Sequence, residues 1–127
     1  MIALAERYRL GLVGARGHVG SALIGLLGRH PQIELVFVCS RERYGLPVRQ
    51  FEPDAPAGLR YGNPSPDDAA AAGADVVVLA LPNGLAEPWV AAFARRQSHA
   101  LLIDLSADHR FDPDWHYGLP ELTRNRY

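Results

Sequence analysis

Apolar residues fall along this chain in short dense runs, separated by stretches whose apolar positions recur at helical spacing. Tyr8-Arg9-Leu10-Gly11-Leu12-Val13 is a compact apolar run that closes on glycine, the pattern of a strand buried on both faces. The next stretch carries Leu23, Ile24 and Leu27 on one helical face and ends at His30-Pro31, where proline disfavours further helix. Ile33 to Cys39 is apolar, and mostly β-branched or aromatic, apart from Glu34, so it reads as a second strand. From Tyr44 to Pro64 prolines and glycines remove any period. That region is expected to be an irregular connection with one short strand near Leu59 to Tyr61.

Ser65-Pro66-Asp67-Asp68 predicts a helix start: a capping hydroxyl, a proline suited to the first turn and two acids at the positive end of the dipole. The alanine run that follows closes at Gly73, a suitable residue just past a helix. Asp75 to Leu81 predicts a strand. Leu85, Trp89 and Phe93, with Val90 beside them, predict an amphipathic helix, and Ala100 to Leu105 predicts a last buried strand. Ser106 to Tyr127 has no clear period, and no internal repeat or low-complexity segment is evident. Strands and helices in alternation predict an α/β Rossmann-type fold, a mostly parallel sheet with helices on both faces.

At 127 residues the chain is expected to form one domain over 1–127. With 48% hydrophobic and 21% charged residues it has an ordinary globular composition, and a net charge of -1 gives no basic field for nucleic acid or a membrane surface. The longest apolar run, Val76 to Leu81, is too short to span a bilayer. Met1 to Tyr8 is too short for a signal peptide and carries Glu6, so a cytoplasmic location is expected. The single cysteine excludes an internal disulfide framework and a multi-cysteine metal site.

Gly14-Ala15-Arg16-Gly17-His18-Val19-Gly20 spells G-x-x-G-x-x-G between the first strand and the first helix. Glycine allows a tight turn and close approach of the backbone to a pyrophosphate, and a helix N-terminus offers unpaired N–H groups to it. The triplet carries weight because of that position. Dinucleotide folds that take NAD place an acid near the end of the second strand, where it bonds the ribose 2′-hydroxyl. Here that end reads Cys39-Ser40-Arg41, a hydroxyl and a guanidinium fork suited to the 2′-phosphate of NADP. Glu42 comes next and, as the sequence neighbour, is expected to point elsewhere.

Other reactive residue types read as structural. Cys39 ends a buried strand, where a free thiol behaves as a small hydrophobe rather than a nucleophile. The five histidines, His18, His30, His99, His109 and His116, show no metal-ligand spacing. Asp104 and Asp108 suit a strand end that orders a loop better than a catalytic carboxylate pair.

Taken together, the segments resemble the N-acetyl-gamma-glutamyl-phosphate reductase family and its aspartate-semialdehyde-dehydrogenase-like relatives. The matching stretches are the Gly14–Gly20 turn, Ser40-Arg41, Ala80-Leu81-Pro82-Asn83-Gly84, Asp104-Leu105-Ser106-Ala107-Asp108-His109-Arg110-Phe111 and Tyr117-Gly118-Leu119-Pro120-Glu121, the last two being the most specific. The resemblance implies NADP-dependent reductive dephosphorylation of N-acetyl-glutamyl phosphate to the semialdehyde, through a cysteine thioacyl intermediate, with a histidine as general acid and base. It implies that Gly14, Arg16, Gly17, His18, Val19 and Gly20 hold the pyrophosphate and that Ser40 and Arg41 hold the 2′-phosphate. Leu81, Pro82, Asn83, Ser106 and Ala107 would line the path from adenosine to nicotinamide. A homo-oligomeric full-length enzyme is also implied.

The chain departs from the family at three places. His18-Val19 stands where Tyr-Thr is common, and Cys39 where Ser is common. The family's catalytic cysteine lies in an Asn-Pro-Gly-Cys motif shortly after Gly-Leu-Pro-Glu, and no such motif follows Glu121 here. The expectation is therefore a cofactor-binding half without a catalytic residue, its substrate domain lying outside the 127 residues. Two other readings are the cofactor domain of an aspartate-semialdehyde dehydrogenase and a non-catalytic NADP-binding module. Tyr117-Gly118-Leu119-Pro120-Glu121 speaks against the first. The apolar tail of Trp115, Tyr117, Leu119 and Leu122 speaks against the second.

Overall fold

The computed structural model describes residues 7–14, 17–106 and 112–115. In chain order the elements are β1 (Tyr8–Val13), α1 (His18–Gly28), β2 (Ile33–Cys39), β3 (Tyr61–Gly62), α2 (Pro66–Ala70), β4 (Val76–Leu79), α3 (Glu87–Arg95) and β5 (Leu101–Asp104). The strands form one sheet in the order β3-β2-β1-β4-β5, and every pairing is parallel. The chain moves outward from β1 to β3, then crosses back to β4 beside β1. That reversal opens a crevice beyond the carboxyl ends of β1 and β4, the place where open α/β sheets bind ligands.

Apolar runs in the strands feed two cores, one on each face of the sheet. Ile24 of α1 packs with Leu10, Leu12, Leu35, Val38 and Val78 on one side. Phe93 of α3 and Ala69 and Ala70 of α2 pack with Val13, Cys39, Val77 and Leu79 on the other. Side chains alternate along each strand, so Val77 and Leu79 face α2 and α3 while Val78 faces α1. Ser65 caps α2 as its sequence predicts, its Oγ accepting from the Asp68 N–H at 3.1 Å. On the outer strand β5, Leu101 and Ile103 pair beside Val76 and Val78 and so share the α1 face, where both are exposed.

Several boundaries differ from expectation, each for a local reason. β4 begins at Val76 because Asp75 serves as a latch: its carboxylate accepts from the Arg9 N–H at 2.8 Å and its own N–H donates to the Arg9 carbonyl at 2.7 Å. α2 ends at Ala70, and the left-handed turn falls two residues past its Ala71 cap, on Gly73 at φ 79°. Leu85 lies outside α3, which starts at Glu87 with a proline in its first turn, so the expected apolar stripe loses its first member. In β1, Gly11 faces the Phe37 ring, where any Cβ would overlap the aromatic carbons. The register shifts at that point, pairing Leu10 with Leu35 but Gly11 with Phe37.

Two glycines of α1 give a test of this packing. A Cβ at Gly25 meets open space, whereas one at Gly28 would be driven into the Asp54 carbonyl oxygen. Gly25→Ala should therefore stabilise the domain by about 0.5–1 kcal/mol through helix propensity alone. Gly28→Ala should destabilise it, the overpacking cost of about 1–3 kcal/mol exceeding the same propensity gain. Urea unfolding of the two variants should move the midpoint in opposite directions. Equal shifts would contradict the close contact at Gly28.

Candidate functional site

At the carboxyl edge of the sheet the chain leaves β1 through Gly14, which holds φ at 81° and backs onto β4. A Cβ there would collide with the Ala80 carbonyl oxygen, so only glycine lets the two segments come this close. Gly17 precedes α1 at φ 106°, and a Cβ on it would meet nothing within 4 Å. Its backbone borders open space, the condition for a ligand to approach the main chain.

The starts of α1 and α2 contrast. α2 has a serine cap and Asp67 and Asp68 in its first turn. α1 starts from Gly17 with no side-chain cap and no acid in its first turn among the described residues. Its first N–H groups and the positive end of its dipole are thus arranged for an anion supplied from elsewhere.

Those features border a cleft of about 630 Å³. Gly14 and Gly17 form one side, and Val13 and Cys39 lie at the strand ends. Ser40, Arg41, Glu42 and Asn63 add polar lining, while Leu81, Pro82, Leu85 and Trp89 add apolar lining. Ser40 is buried; its N–H donates to the Gly62 carbonyl at 3.0 Å and its Oγ accepts from the Arg43 N–H at 3.3 Å. Arg43 is drawn away from the cleft, its guanidinium 3.8 Å above the Phe51 ring and donating to the Tyr61 hydroxyl at 3.2 Å. Among the described residues, Arg41 is the guanidinium that lines the cleft.

Of the residues singled out in the sequence, Gly14, Gly17, Ser40, Arg41, Leu81 and Pro82 come together around this cleft. His18, Val19 and Gly20 form the first turn of α1 beside it. Asn83 and Ser106 fall outside the lining; the Ser106 N–H donates to Asp104 Oδ1 at 2.9 Å, so that acid does order the strand end. Arg16, Ala107, Asp108 and His109 lie outside the described residues, as does most of the tail from Trp115 to Leu122.

Glu42 also borders the cleft, beside Arg41. The backbone turns immediately after Arg41, so strand alternation does not govern its direction. Asn63 and Trp89 are additional lining residues that the sequence reading missed. Asn63 is brought in by β3, whose two residues pair with Val38 and Cys39 and are too few to show a pattern. Trp89 was accounted for as helix core.

Among the described residues that line the cleft, the one thiol is not poised as a nucleophile. Desolvation pushes the buried Cys39 thiol up from 9.0 to about 12. Among the described residues no three His, Cys, Asp or Glu side chains gather as a metal site, and no helix is long and apolar enough to cross a membrane. A larger cleft of about 850 Å³ opens at the opposite, amino-terminal edge, beside Tyr8, Val76 and Leu101. It is bordered by the C-terminal sides of α2 and α3, whose carbonyl ends disfavour anions, with Arg7 at its rim, and its described lining includes neither the Gly14–Gly20 turn nor a helix N-terminus. The smaller cleft is the better anion site.

Residues 9–127 match the family model described as semialdehyde dehydrogenase, NAD binding domain. An N-acetyl-gamma-glutamyl-phosphate reductase of Xanthomonas campestris pv. campestris (strain 8004) is 57% identical over 118 residues, covering 93% of this chain and 37% of that protein. One from Stenotrophomonas maltophilia (strain R551-3) is 53% identical over 120 residues, covering 94% and 38%. The chain thus spans little more than a third of the length of these relatives. Among solved structures, aspartate semialdehyde dehydrogenase II of Vibrio cholerae, complexed with ASA, superposes with a TM-score of 0.71 at 18% identity, covering 94% of this chain and 37% of that one. At that identity the likeness shows the fold alone.

The state of Cys39 is directly measurable. In the folded protein the thiol should stay unreacted with a disulfide reagent near about pH 8, then react fully once urea exposes it. Its raised folded value also sets a sign. Below pH 9.0 the thiol is neutral in both states, and its contribution to stability is fully present. As pH rises from 9.0 toward about 12 the unfolded chain ionises first, so that contribution is lost. Rapid labelling of the native protein would contradict the buried placement.

Proposed function

The chain belongs to the semialdehyde dehydrogenase family as an NAD-binding domain, and from that premise we propose that it is the NADP-binding part of an N-acetyl-gamma-glutamyl-phosphate reductase. One observation carries the proposal: Gly14, Gly17 at the uncapped start of α1, Ser40 and Arg41 all line a single cleft. The identity to reductases of that name supports the choice of reaction, and their greater length supports a substrate domain outside this chain. A cytoplasmic setting and a homo-oligomeric whole enzyme belong to the same proposal.

The donor set fits a phosphorylated dinucleotide. Gly14 and Gly17 admit the pyrophosphate to the main chain, where the first N–H groups of α1 receive it. Arg41 presents its planar fork to the 2′-phosphate. Ser40, one lone pair occupied by the Arg43 N–H, has its hydroxyl proton left to donate. Leu81, Pro82, Leu85 and Trp89 supply the apolar lining against which the cofactor's rings would pack. When bound, NADPH supplies the hydride that turns the acyl group into the aldehyde. Cys39 is buried and protonated, so the thiol that carries the acyl group belongs to the remainder of the enzyme.

Cofactor choice gives the main test. A charge-assisted hydrogen bond contributes about 1.5–3 kcal/mol, and the exposure of Arg41 favours the lower end. The chain should therefore prefer NADP over NAD by roughly tenfold. Arg41→Ala should remove most of that preference and leave NAD binding nearly unchanged, whereas Gly17→Val should weaken both cofactors together. Calorimetric titration of the three proteins with both cofactors distinguishes these outcomes. Equal binding of NAD and NADP by the unaltered chain would defeat the assignment.

A second test concerns turnover. The chain alone should not reduce NADP in the presence of N-acetyl-glutamate semialdehyde and phosphate, because it offers no activated nucleophile. Turnover abolished by Cys39→Ser would overturn this.

A further inference from the structure

The turn that carries Arg41 has one residue drawn inward. From Arg41 to Pro47 every residue is exposed except Arg43, which is half-buried. All three hydrogen-bonding parts of Arg43 are engaged. Its N–H donates to Ser40 Oγ at 3.3 Å, its carbonyl accepts from the Leu46 N–H at 2.9 Å, and its guanidinium donates to the Tyr61 hydroxyl at 3.2 Å. That guanidinium also lies 3.8 Å above the centre of the Phe51 ring.

The groups that Arg43 grips are themselves held by the core. Tyr61 is buried; its N–H donates to the Leu46 carbonyl at 3.0 Å and its carbonyl accepts from the Gly45 N–H at 2.9 Å. Its ring meets Phe51 edge-on, and Phe51 packs against the core on the α1 side of the sheet. A guanidinium seated on an aromatic face and bonded to a buried hydroxyl is a directional anchor. Arg41, two residues earlier, is exposed and long, so its order at the cleft depends on how firmly the backbone beneath it is held.

We propose that Arg43 is a positioning residue for the 2′-phosphate: it touches no part of the cofactor and holds the turn that sets Ser40 and Arg41 at the cleft. The proposal rests on the reading of this cleft as an NADP site. Without the anchor the phosphate contacts could still form, but the turn would have to be ordered as they did, which weakens binding of the one cofactor that uses them. NAD has no 2′-phosphate and would be little affected.

Calorimetric titration of the unaltered chain, Arg43→Met, Arg43→Lys and Phe51→Leu with NADP and with NAD tests it, a melting curve establishing that each is folded. Methionine keeps an apolar stem and loses the charge and the donors. Arg43→Met should bind NADP about three- to tenfold more weakly, the cost of ordering one long side chain, with NAD affinity unchanged within about twofold. Phe51→Leu should reproduce that selective loss, and Arg43→Lys, which keeps a cation over the ring, should restore most of the affinity. Placed in the Arg41→Ala background, Arg43→Met should cost NADP little more, because it acts through Arg41. Should Arg43→Met not fold, the Phe51→Leu result carries the same decision. Equal loss of both cofactors, an unchanged NADP affinity, or full additivity with Arg41→Ala would overturn the positioning role. Failure of the unaltered chain to bind NADP more tightly than NAD would instead overturn the reading of the cleft, and this proposal with it.

Discussion

The contact between Gly14 and the Ala80 carbonyl governs the carboxyl edge of this sheet. It brings the chain leaving β1 directly against the chain leaving β4, so the glycine turn and the Leu81-Pro82 segment border the same cleft. A side chain at position 14 would separate them twice over, by its bulk against a backbone oxygen and by its resistance to φ 81°.

Division of labour between two arginines completes the site. Arg41 and Arg43 are two positions apart, yet one lines the cleft and the other lies over Phe51 with a hydrogen bond to Tyr61. Arg43 thereby joins the irregular segment between β2 and β3 to the core, since Tyr61 is fully enclosed and packs edge-on to Phe51. The structural arginine holds the turn, and the turn holds the exposed arginine in the wall.

Much of this was legible in the residues. Buried parallel strands are runs of apolar side chains, which is why β1, β2, β4 and β5 stand out, and the Ser65 cap announces α2 through its own chemistry. β3 is legible only as a suggestion, because two residues cannot show a period and its place beside β2 is set by pairing at Val38 and Cys39. The same limit hides Asn63, whose position in the cleft depends on that pairing. The glycines and the Ser40-Arg41 pair were legible because a strand-to-helix turn and a strand end are positions that sequence can locate. Leu85 misled in the other direction, its spacing suiting a helix that in fact begins two residues later.

The central place of β1 has a consequence for how the polypeptide is made. Its first sheet partner, β2, follows after a single helix, but its other flank waits for β4. Arg9 and Asp75, which exchange hydrogen bonds across that flank, are 66 residues apart. At synthesis rates of about 5–20 residues per second, the ribosome needs roughly 3–13 s to deliver the missing neighbour. Throughout that interval one edge of Leu10, Leu12 and Val13 has no strand beside it. The cleft at the carboxyl edge therefore cannot form until that long loop has closed, a non-local step slower than the formation of any one helix.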